Sequence, residues 1–276
     1  MRGGLLLSGP LGWMLFVYLA ALVVLFLSAF WKVDPFTGLI VHDWGLHNFK
    51  TIVESETYRT IAFRTIGIAA AVTITDALIA FPFAYFAARI ARGRTQTLLF
   101  VLVLLPLWSS YLVRVYAWRL ILSKNGALNW TLDKVHLPSI DVAYSNWAMW
   151  IVFSYIWLPF MITPIWTAIE RVPDSLLEAS GDLGAGNWTT FRRVLLPLAL
   201  PGVVAGSIFT FSLTLGDYIT PTLVGGASSD FIGNVVYRNV GVANNVPFAA
   251  AFATVPAIVM GLYLVFARRT GAFKAL

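Results

Sequence analysis

The segment RVPDSLLEASGDLGAGNWTTFRRVLLP, residues 171–197, predicts a pair of short helices joined by glycines. Pro173 suits the first turn of a helix, and the negative charges of Asp174 and Glu178 favour the positive end of the helix dipole. Apolar side chains at spacing i, i+3 and i+7 share one face of this first helix. They are Leu176, Ala179 and Leu183. The first half of the segment is therefore typical of an amphipathic helix.

Glycine marks the end of this helix and the approach to the next. Either Gly184 or Gly186 can end the first helix in the left-handed conformation, and Asn187 can cap the second. The second helix has an apolar face that holds Trp188, Phe191 and Leu195. The segment is too polar to cross a membrane. It predicts a helix–glycine–helix elbow beside the bilayer, or a simple amphipathic hairpin on the bilayer surface.

Long apolar runs surround the elbow on both sides. The chain has 276 residues, of which 59% are hydrophobic and only 12% are charged, whereas soluble domains carry about 25% charged residues. A spanning helix needs about 20 mostly apolar residues. Six such runs occur, at approximately 11–31, 65–88, 96–116, 144–169, 194–216 and 245–267.

These runs predict an all-α membrane protein with six transmembrane helices. A membrane β-barrel would instead show short segments of alternating polarity. We expect one transmembrane domain over residues 1–276, with the elbow at about 172–193. The charge-free run at 3–31 is longer than the roughly 7–15 apolar residues of a signal peptide, so we expect it to be retained as the first span.

The distribution of Lys and Arg predicts that both termini lie in the cytoplasm. With the N-terminus inside, the inner segments hold ten basic residues against four acids, and the outer segments hold six against seven. The inner basic residues are Arg2, Arg89, Arg92, Arg94, Arg171, Arg192, Arg193, Arg268, Arg269 and Lys274. The net charge of +6 is then a consequence of membrane topology and not a nucleic-acid-binding patch.

Proline and ionisable residues within the spans indicate a polar pathway. Prolines recur in or beside most of the runs, where each removes a backbone donor and can kink its helix. Asp76 lies in the middle of the second span, and Asp217 ends the fifth, followed by Tyr218. A charge within the membrane usually faces a cavity or a partner. A hydrogen bond or ion pair between helices is the alternative at both positions.

The elbow resembles the EAA loop of the ABC-importer permeases. That family's pattern is E-A-A, three residues, glycine, nine residues and I-x-L-P. This chain has Glu178-Ala-Ser, then Gly184, then Val194-Leu-Leu-Pro197 at the same spacing. Ser180 for alanine and Val194 for isoleucine are conservative departures. The resemblance implies the type I importer permease fold and a coupling helix that docks on a separate ATPase subunit.

The resemblance also implies roles for the residues of the elbow. Gly184 permits the turn, Glu178 offers a negative charge to a basic partner, and the apolar residues anchor the elbow to the ATPase or to its own bundle. The coupling residues are Glu178, Ala179, Ser180, Gly184, Leu176, Leu183, Trp188, Phe191 and Pro197. The sequence lacks G-x-x-x-x-G-K-[ST]. We therefore expect ATP and Mg²⁺ on partner ATPases, and no cofactor or catalytic residue in this chain.

Other segments are similar to the spermidine/putrescine permeases, most of all to their B subunit. They are Pro82–Arg89, Leu104–Trp118, Asn125–Asn129 and Gly216–Gly226. This similarity implies a polyamine substrate, whose ammonium groups would be attracted by carboxylates and aromatic faces. The pathway residues predicted on this basis are Asp217, Tyr218, Trp108, Tyr111, Trp157 and Asp76. The aromatic content of 15% makes chance clustering the alternative.

The resemblance further implies the partners and the location of the chain. We expect a second permease, in a heterodimer more readily than a homodimer, together with two ATPases and an extracytoplasmic binding protein. The complex would lie among the lipids of the bacterial inner membrane. Related permeases carry other small solutes, such as ferric iron, opines or phosphonates, and these remain alternatives to a polyamine.

Three other functional classes lack their expected sequence features. An ion-coupled secondary transporter usually has several intramembrane carboxylates and an inverted repeat. A channel would need a repeated filter-like loop. An intramembrane enzyme or metal site would need nucleophiles or ligands within the spans, but cysteine is absent and His42, His47 and His136 lie in predicted outer loops.

Overall fold

A computed structural model describes residues 2–269, with side chains described for residues 9–268. Some of the basic residues on which the predicted orientation depends lie outside this range. Lys274 is outside the described residues, and so are the side chains of Arg2 and Arg269. The cytoplasmic location of the termini therefore stays a prediction.

Helices make up most of the described chain. Within residues 2–269 the α-helices are α1 (Arg2–Ser28), α2 (His47–Glu54), α3 (Glu56–Tyr85), α4 (Arg94–Leu104), α5 (Tyr111–Leu122), α6 (Ala127–Lys134), α7 (Asn146–Glu170), α8 (Asp174–Asp182), α9 (Asn187–Thr190), α10 (Leu196–Gly216), α11 (Ile219–Val224), α12 (Ile232–Gly241) and α13 (Val246–Arg269). A π-helical turn at Phe86–Ile90 extends α3, and another at Phe191–Leu195 leads into α10. A 3₁₀ turn at Leu105–Trp108 follows α4.

A small β-hairpin follows α1. Its strands, β1 (Lys32–Val33) and β2 (Ile40–Val41), pair antiparallel. The ring of His42 packs edge-on against Trp31, with centroids 4.3 Å apart, and His47 Nε2 lies 2.9 Å from the Trp31 carbonyl oxygen. Both histidines therefore contribute to the packing of this loop.

Five continuous helical segments in the described chain are long and apolar enough to cross a membrane. They are Gly9–Ser28, Glu56–Ile90, Asn146–Glu170, Asn187–Gly216 and Val246–Arg268. A sixth span is present if the bent pair Arg94–Trp108 and Tyr111–Lys134 crosses as one unit. When the bent pair is counted as one span, the spans agree in number and order with the six apolar runs of the sequence.

The predicted third span, 96–116, is broken. Its two parts meet at 94°, because the 3₁₀ turn ends at Trp108 and a new helix begins at Tyr111. Pro106 lacks a backbone donor, and its carbonyl oxygen accepts a hydrogen bond from the Ser109 hydroxyl at 2.7 Å. Ser109 has extended backbone angles, φ −84° and ψ 150°. Hydrophobicity alone does not record such a change in chain direction.

The second span is much longer than its apolar part. α3 and its π-turn form one segment of 35 residues, Glu56–Ile90. At about 1.5 Å per residue it measures on the order of 50 Å, against a hydrocarbon core of about 30 Å. Arg59 and Arg64 lie inside the helix, which is why charge-free intervals place its start at residue 65. The helix therefore projects beyond the bilayer core or crosses it at a tilt.

α7 forms the centre of the bundle, and α3 and α10 make the most extensive contacts with it. Small residues let α10 approach closely. A Cβ atom on Gly202 would lie 2.5 Å from the Pro164 carbonyl oxygen, and one on Gly206 would lie 2.7 Å from Met161 Sδ. Gly202 and Gly206 have the G-x-x-x-G spacing that brings membrane helices together. This packing fixes the frame from which the elbow and a cavity at the opposite end are built.

Candidate functional site

The first half of the elbow ends in a glycine turn. Gly184 has φ +76° and donates its N–H to the Gly181 carbonyl oxygen at 2.8 Å. The Ala185 N–H donates to the Ser180 carbonyl oxygen at 3.1 Å. This bond pattern is a Schellman motif, in which the left-handed residue satisfies the last carbonyls of the helix. Gly186 has φ −69°, so of the two glycines considered Gly184 makes the turn.

The second half of the elbow begins one residue earlier than the predicted cap implies. Gly186 is the N-cap, with an extended backbone (φ −69°, ψ 162°), and Asn187 is the first helical residue. The expectation that the Asn187 side chain caps α9 is therefore wrong, because Gly186 already provides the extended conformation that precedes a helix. The hydroxyls of Ser180 and Thr190 lie 2.9 Å apart and join α8 to α9. The serine that departs from the family pattern thus makes a contact across the elbow.

The apolar residues of the elbow divide into two groups. Phe191 stacks on Trp188 (5.3 Å between centroids) and packs edge-on against Phe81 of α3 (5.5 Å). Leu183 and Trp188 are 88% and 69% exposed. We call the exposed set Leu176, Glu178, Leu183 and Trp188 the elbow surface. Phe191 therefore holds the elbow on the bundle, while the elbow surface is left available for another molecule.

The remaining predicted coupling residues lie at the edges of this surface. Ala179 is exposed on α8, and Pro197 is exposed at the second position of α10, directly after the π-turn Phe191–Leu195. Exposed leucine and tryptophan side chains grouped on a short loop are typical of a contact site. The elbow can thus offer apolar area and one carboxylate to a partner.

Arg89 is a residue at the elbow whose role the sequence did not reveal. The sequence indicates it as an inner positive charge and as the last residue of the segment Pro82–Arg89. In the structure its guanidinium pairs with Asp174 at the start of α8, with Nη1 and Oδ1 2.5 Å apart. The available signal was its place at the end of an apolar span, in the segment Pro82–Arg89, but its partner is 85 residues away.

A second feature, at the far end of the bundle, is a cavity of about 350 Å³. Tyr111, Trp157, Asp217 and Tyr218 line it. The Tyr111 and Trp157 rings stack with centroids 5.8 Å apart, and the Tyr111 hydroxyl donates to Asp217 Oδ2. We call this space the aromatic cavity. It brings together four of the six predicted pathway residues, from α5, α7 and the connection between α10 and α11.

Asp217 is the charged group of the aromatic cavity. Its Oδ1 accepts hydrogen bonds from the backbone N–H groups of Ile219, at 2.7 Å, and Thr220, at 3.1 Å. Its Oδ2 accepts from Thr220 Oγ1 at 3.2 Å as well as from Tyr111. Within residues 9–268, no cationic side chain forms an ion pair with Asp217. The carboxylate is thus held in place by neutral donors, and the guanidinium of Arg114, 6.0 Å from the centre of the Tyr111 ring, does not form an ion pair with it.

Two predicted pathway residues lie away from the aromatic cavity. Trp108 is 90% exposed at the end of the 3₁₀ turn. Asp76 is completely buried in α3, and among the described residues neither of its carboxylate oxygens has a hydrogen-bond partner of good geometry. Ser154 of α7 is its polar neighbour. Asp76 therefore faces Ser154 of the neighbouring helix and does not line the aromatic cavity.

A second cavity, of about 460 Å³, lies next to the first. Tyr237 in its wall stacks face to face on Tyr218 of the aromatic cavity, with centroids 4.5 Å apart. The Asn234 side-chain amide fixes Tyr218 by donating to its carbonyl oxygen at 2.8 Å. Sequence reasoning missed Asn234 and Tyr237, because their contact with Tyr218 depends on how α12 folds back on α11.

Comparisons with known proteins agree with these features. A family model described as "Binding-protein-dependent transport system inner membrane component" matches residues 80–271. The chain is 46% identical over 285 residues to the inner membrane ABC transporter permease protein YdcU of Escherichia coli (strain K12). The aligned region covers 99% of this chain and 90% of that protein. It is 33% identical over 258 residues to the spermidine/putrescine transport system permease protein PotB of the same strain, with 92% of each covered.

One solved structure has a similar fold over the whole length. It is the crystal structure of the bacterial alginate ABC transporter in complex with an alginate pentasaccharide-bound periplasmic protein. Its matching chain superimposes with a TM-score of 0.68, at 19% sequence identity, over 99% of this chain and 94% of that chain. At this identity the similarity concerns the fold alone.

Proposed function

The chain belongs to the family of binding-protein-dependent transport system inner membrane components, and from this premise we propose that it carries polyamines such as spermidine and putrescine. The predicted ABC-importer permease, its type I fold and its inner-membrane location are confirmed. As a permease it is a transport subunit and not an enzyme. The proposal concerns the solute, the residues that meet it and the partners that drive its movement.

The aromatic cavity is the observation that carries the polyamine proposal. A buried carboxylate without a counter-ion attracts cations, and the faces of tyrosine and tryptophan rings attract ammonium groups further. Asp217 and the rings of Tyr111, Trp157 and Tyr218 provide both elements around one space. The 33% identity to a spermidine/putrescine permease supports the same class of solute.

The hydrogen bonds of Asp217 limit how tightly the cavity can hold a cation. Four donors already occupy the carboxylate, so a passing ammonium group would be attracted mainly by charge and by the rings. A site used in transit must release its solute, and a weak site does so faster than a strong one. Most of the selectivity would then reside in a separate binding protein.

We propose that the elbow surface docks on an ATPase subunit. Leu183 and Trp188 would fill an apolar groove of the partner, and Glu178 would face one of its basic residues. Aromatic side chains that become buried at the centre of an interface usually contribute most of its binding energy. ATP and Mg²⁺ would be bound by the partner, and closure of two ATPases would move the elbow and alternate the access of the cavity.

Further partners follow from the family. Importer permeases work with a second permease, ATPase subunits and a periplasmic binding protein, and the similar alginate transporter was crystallised with such a protein. For this chain we propose a heterodimer with a different permease, two ATPases and a polyamine-binding protein outside the membrane. The chain would then supply half of the pathway.

The test is polyamine uptake by the complete complex in proteoliposomes. The second permease, the ATPases and the binding protein are co-expressed with this chain, and uptake of labelled spermidine and putrescine is measured with and without ATP. We expect ATP-dependent uptake, together with ATP hydrolysis that rises when polyamine and binding protein are both present. Parallel assays with a ferric salt, an opine and a phosphonate serve as controls.

Two results would contradict parts of the proposal separately. If one of the control solutes drives ATP hydrolysis and the polyamines do not, the substrate is wrong and the importer assignment stands. If the folded chain fails to co-purify with the ATPases, the proposed role of the elbow surface is wrong.

A further inference from the structure

A single guanidinium joins three elements at the elbow end of the bundle. Arg89 lies in the π-turn that extends α3, and its side chain is only 13% exposed. Nη1 donates to Asp174 Oδ1 in the first turn of α8. Nη2 donates to the carbonyl oxygens of Ile169, at 2.7 Å, and Val172, beyond the end of α7. We call this arrangement the Arg89 joint.

The chemistry of arginine suits this position. A guanidinium is planar and presents its N–H donors in fixed directions, so it can bridge a carboxylate and two carbonyls at once. The carbonyls at the end of α7 carry the negative end of the helix dipole and favour a cation. Nε of Arg89 is buried and has no hydrogen-bond partner among the residues that the structure describes.

The position of the joint matters because α3 has no covalent connection to the elbow. α8 follows α7 through residues 171–173, and α9 continues through its π-turn into α10. Movement of the elbow reaches those two helices through the chain itself. It reaches α3 through non-covalent contacts, which include the packing of α3 on α7 and α10 and two direct contacts with the elbow, the Arg89–Asp174 pair and Phe81 against Phe191.

We propose that Arg89 is a positioning residue for transport, which makes α3 follow the elbow when an ATPase moves it. The inference rests on the proposed function, because it requires an ATPase bound at the elbow surface. Without the Arg89–Asp174 pair, α3 would follow α8 less closely, because only its packing on α7, α10 and Phe191 and the carbonyl bonds of Arg89 would then transmit the movement. ATP would then be hydrolysed with less solute transported.

The sharpest variant is Asp174→Asn, which removes the ion pair and leaves the two carbonyl bonds of Arg89 in place. It is assayed in the complete complex, as spermidine taken up per ATP hydrolysed. We expect this ratio to fall about two- to fivefold, because the Asp174 side chain is 79% exposed and water screens the ion pair, while ATP hydrolysis continues. Asp174→Glu keeps the carboxylate and is expected to retain the ratio. Asp182→Asn removes another exposed acid of α8 and serves as the matched control.

Arg89→Lys tests the same joint from the other side. Lysine keeps the charge but cannot bridge three acceptors in fixed directions, so we expect a similar fall in the ratio. Arg92→Lys is the control, because Arg92 is an exposed arginine three residues after Arg89, beyond the π-turn. A fall in uptake and in ATP hydrolysis by the same factor in both Asp174→Asn and Arg89→Lys would show loss of structure alone and would overturn the inference.

A distance measurement tests the inference without any solute. The chain contains no cysteine, so spin labels can be attached to Ser175→Cys, which is exposed on α8 outside the elbow surface, and to Ile79→Cys on the exposed face of α3. In the ATPase-bound complex we expect their separation to stay nearly constant when ATP binds, and to change in the Asp174→Asn variant. An unchanged separation in both proteins contradicts the inference. Failure of polyamine uptake with the expected distances contradicts only the proposed substrate.

Discussion

The charged side chains at the two ends of the bundle have different partners. At the elbow end, the buried guanidinium of Arg89 is paired with a carboxylate and two carbonyls. At the other end, the carboxylate of Asp217 is fixed by neutral donors and has no counter-ion among the described side chains. A paired charge holds helices together, whereas an unpaired charge remains able to attract a ligand. If the proposed function holds, the elbow end transmits movement and the aromatic cavity meets the solute.

The largest effect is expected at the elbow surface. Trp188→Ala should weaken binding of the ATPase subunit by about 2 kcal/mol, or about 30-fold, because a tryptophan buried on binding is a typical hot spot. Affinity is measured by titrating the purified ATPase onto the permease pair in nanodiscs. Trp108→Ala, an exposed tryptophan far from the elbow, is the control and should bind as the wild type does. Equal affinities for all three proteins would remove the elbow surface from the interface.

The second effect concerns the unpaired charge. Asp217→Asn keeps a side chain of similar shape and removes the charge, so polyamine uptake should fall about tenfold, equivalent to about 1.4 kcal/mol. The rate is measured in proteoliposomes at a fixed amount of folded complex. Asp230→Asn is the matched control, since Asp230 is a carboxylate already paired with Arg238. Equal losses of uptake in the two variants would show that an unpaired carboxylate is no more important for transport than a paired one.

A smaller effect is expected at the turn of the elbow. Gly184→Ala places a Cβ atom at φ +76°, which costs about 1 kcal/mol. Hydrogen exchange at the Ala185 amide, which is bonded to the Ser180 carbonyl, should become about fivefold faster. Gly186→Ala, at φ −69°, should leave that rate near the wild-type value. Similar rates in both variants would contradict the role of Gly184.

Local signals in the sequence predicted the elbow well. Glycine, proline and the spacing of apolar residues act over a few residues, so the turn at Gly184 and the start of α8 near Pro173 followed from them. The exact cap did not follow, because Gly186 and Asn187 are both acceptable N-caps and only the backbone angles distinguish them. The apolar runs likewise predicted the spans, but not the 94° break after Trp108.

Contacts between distant parts of the chain could not be predicted in this way. The Arg89 joint unites residues about 80 positions apart, and no local pattern indicates which carboxylate an arginine will meet. In the aromatic cavity, residue types suggested Asp217 and the rings, but the same reasoning included Asp76, which lies buried elsewhere. Composition indicates which residues suit a pathway, and tertiary packing decides which of them meet.

The length of the second span has a mechanical consequence. From Glu56 to Phe81 the helix contains no proline, so it would act as a rigid lever arm if it pivoted at Pro82 and the adjoining π-turn. For a lever on the order of 40 Å long, a rotation of about 10° at the fulcrum displaces the free end by about 7 Å. That displacement is wide enough to admit or exclude an extended alkyl chain. Such a rotation beside the elbow would thus produce an opening of molecular size at the opposite face without any loss of helical structure.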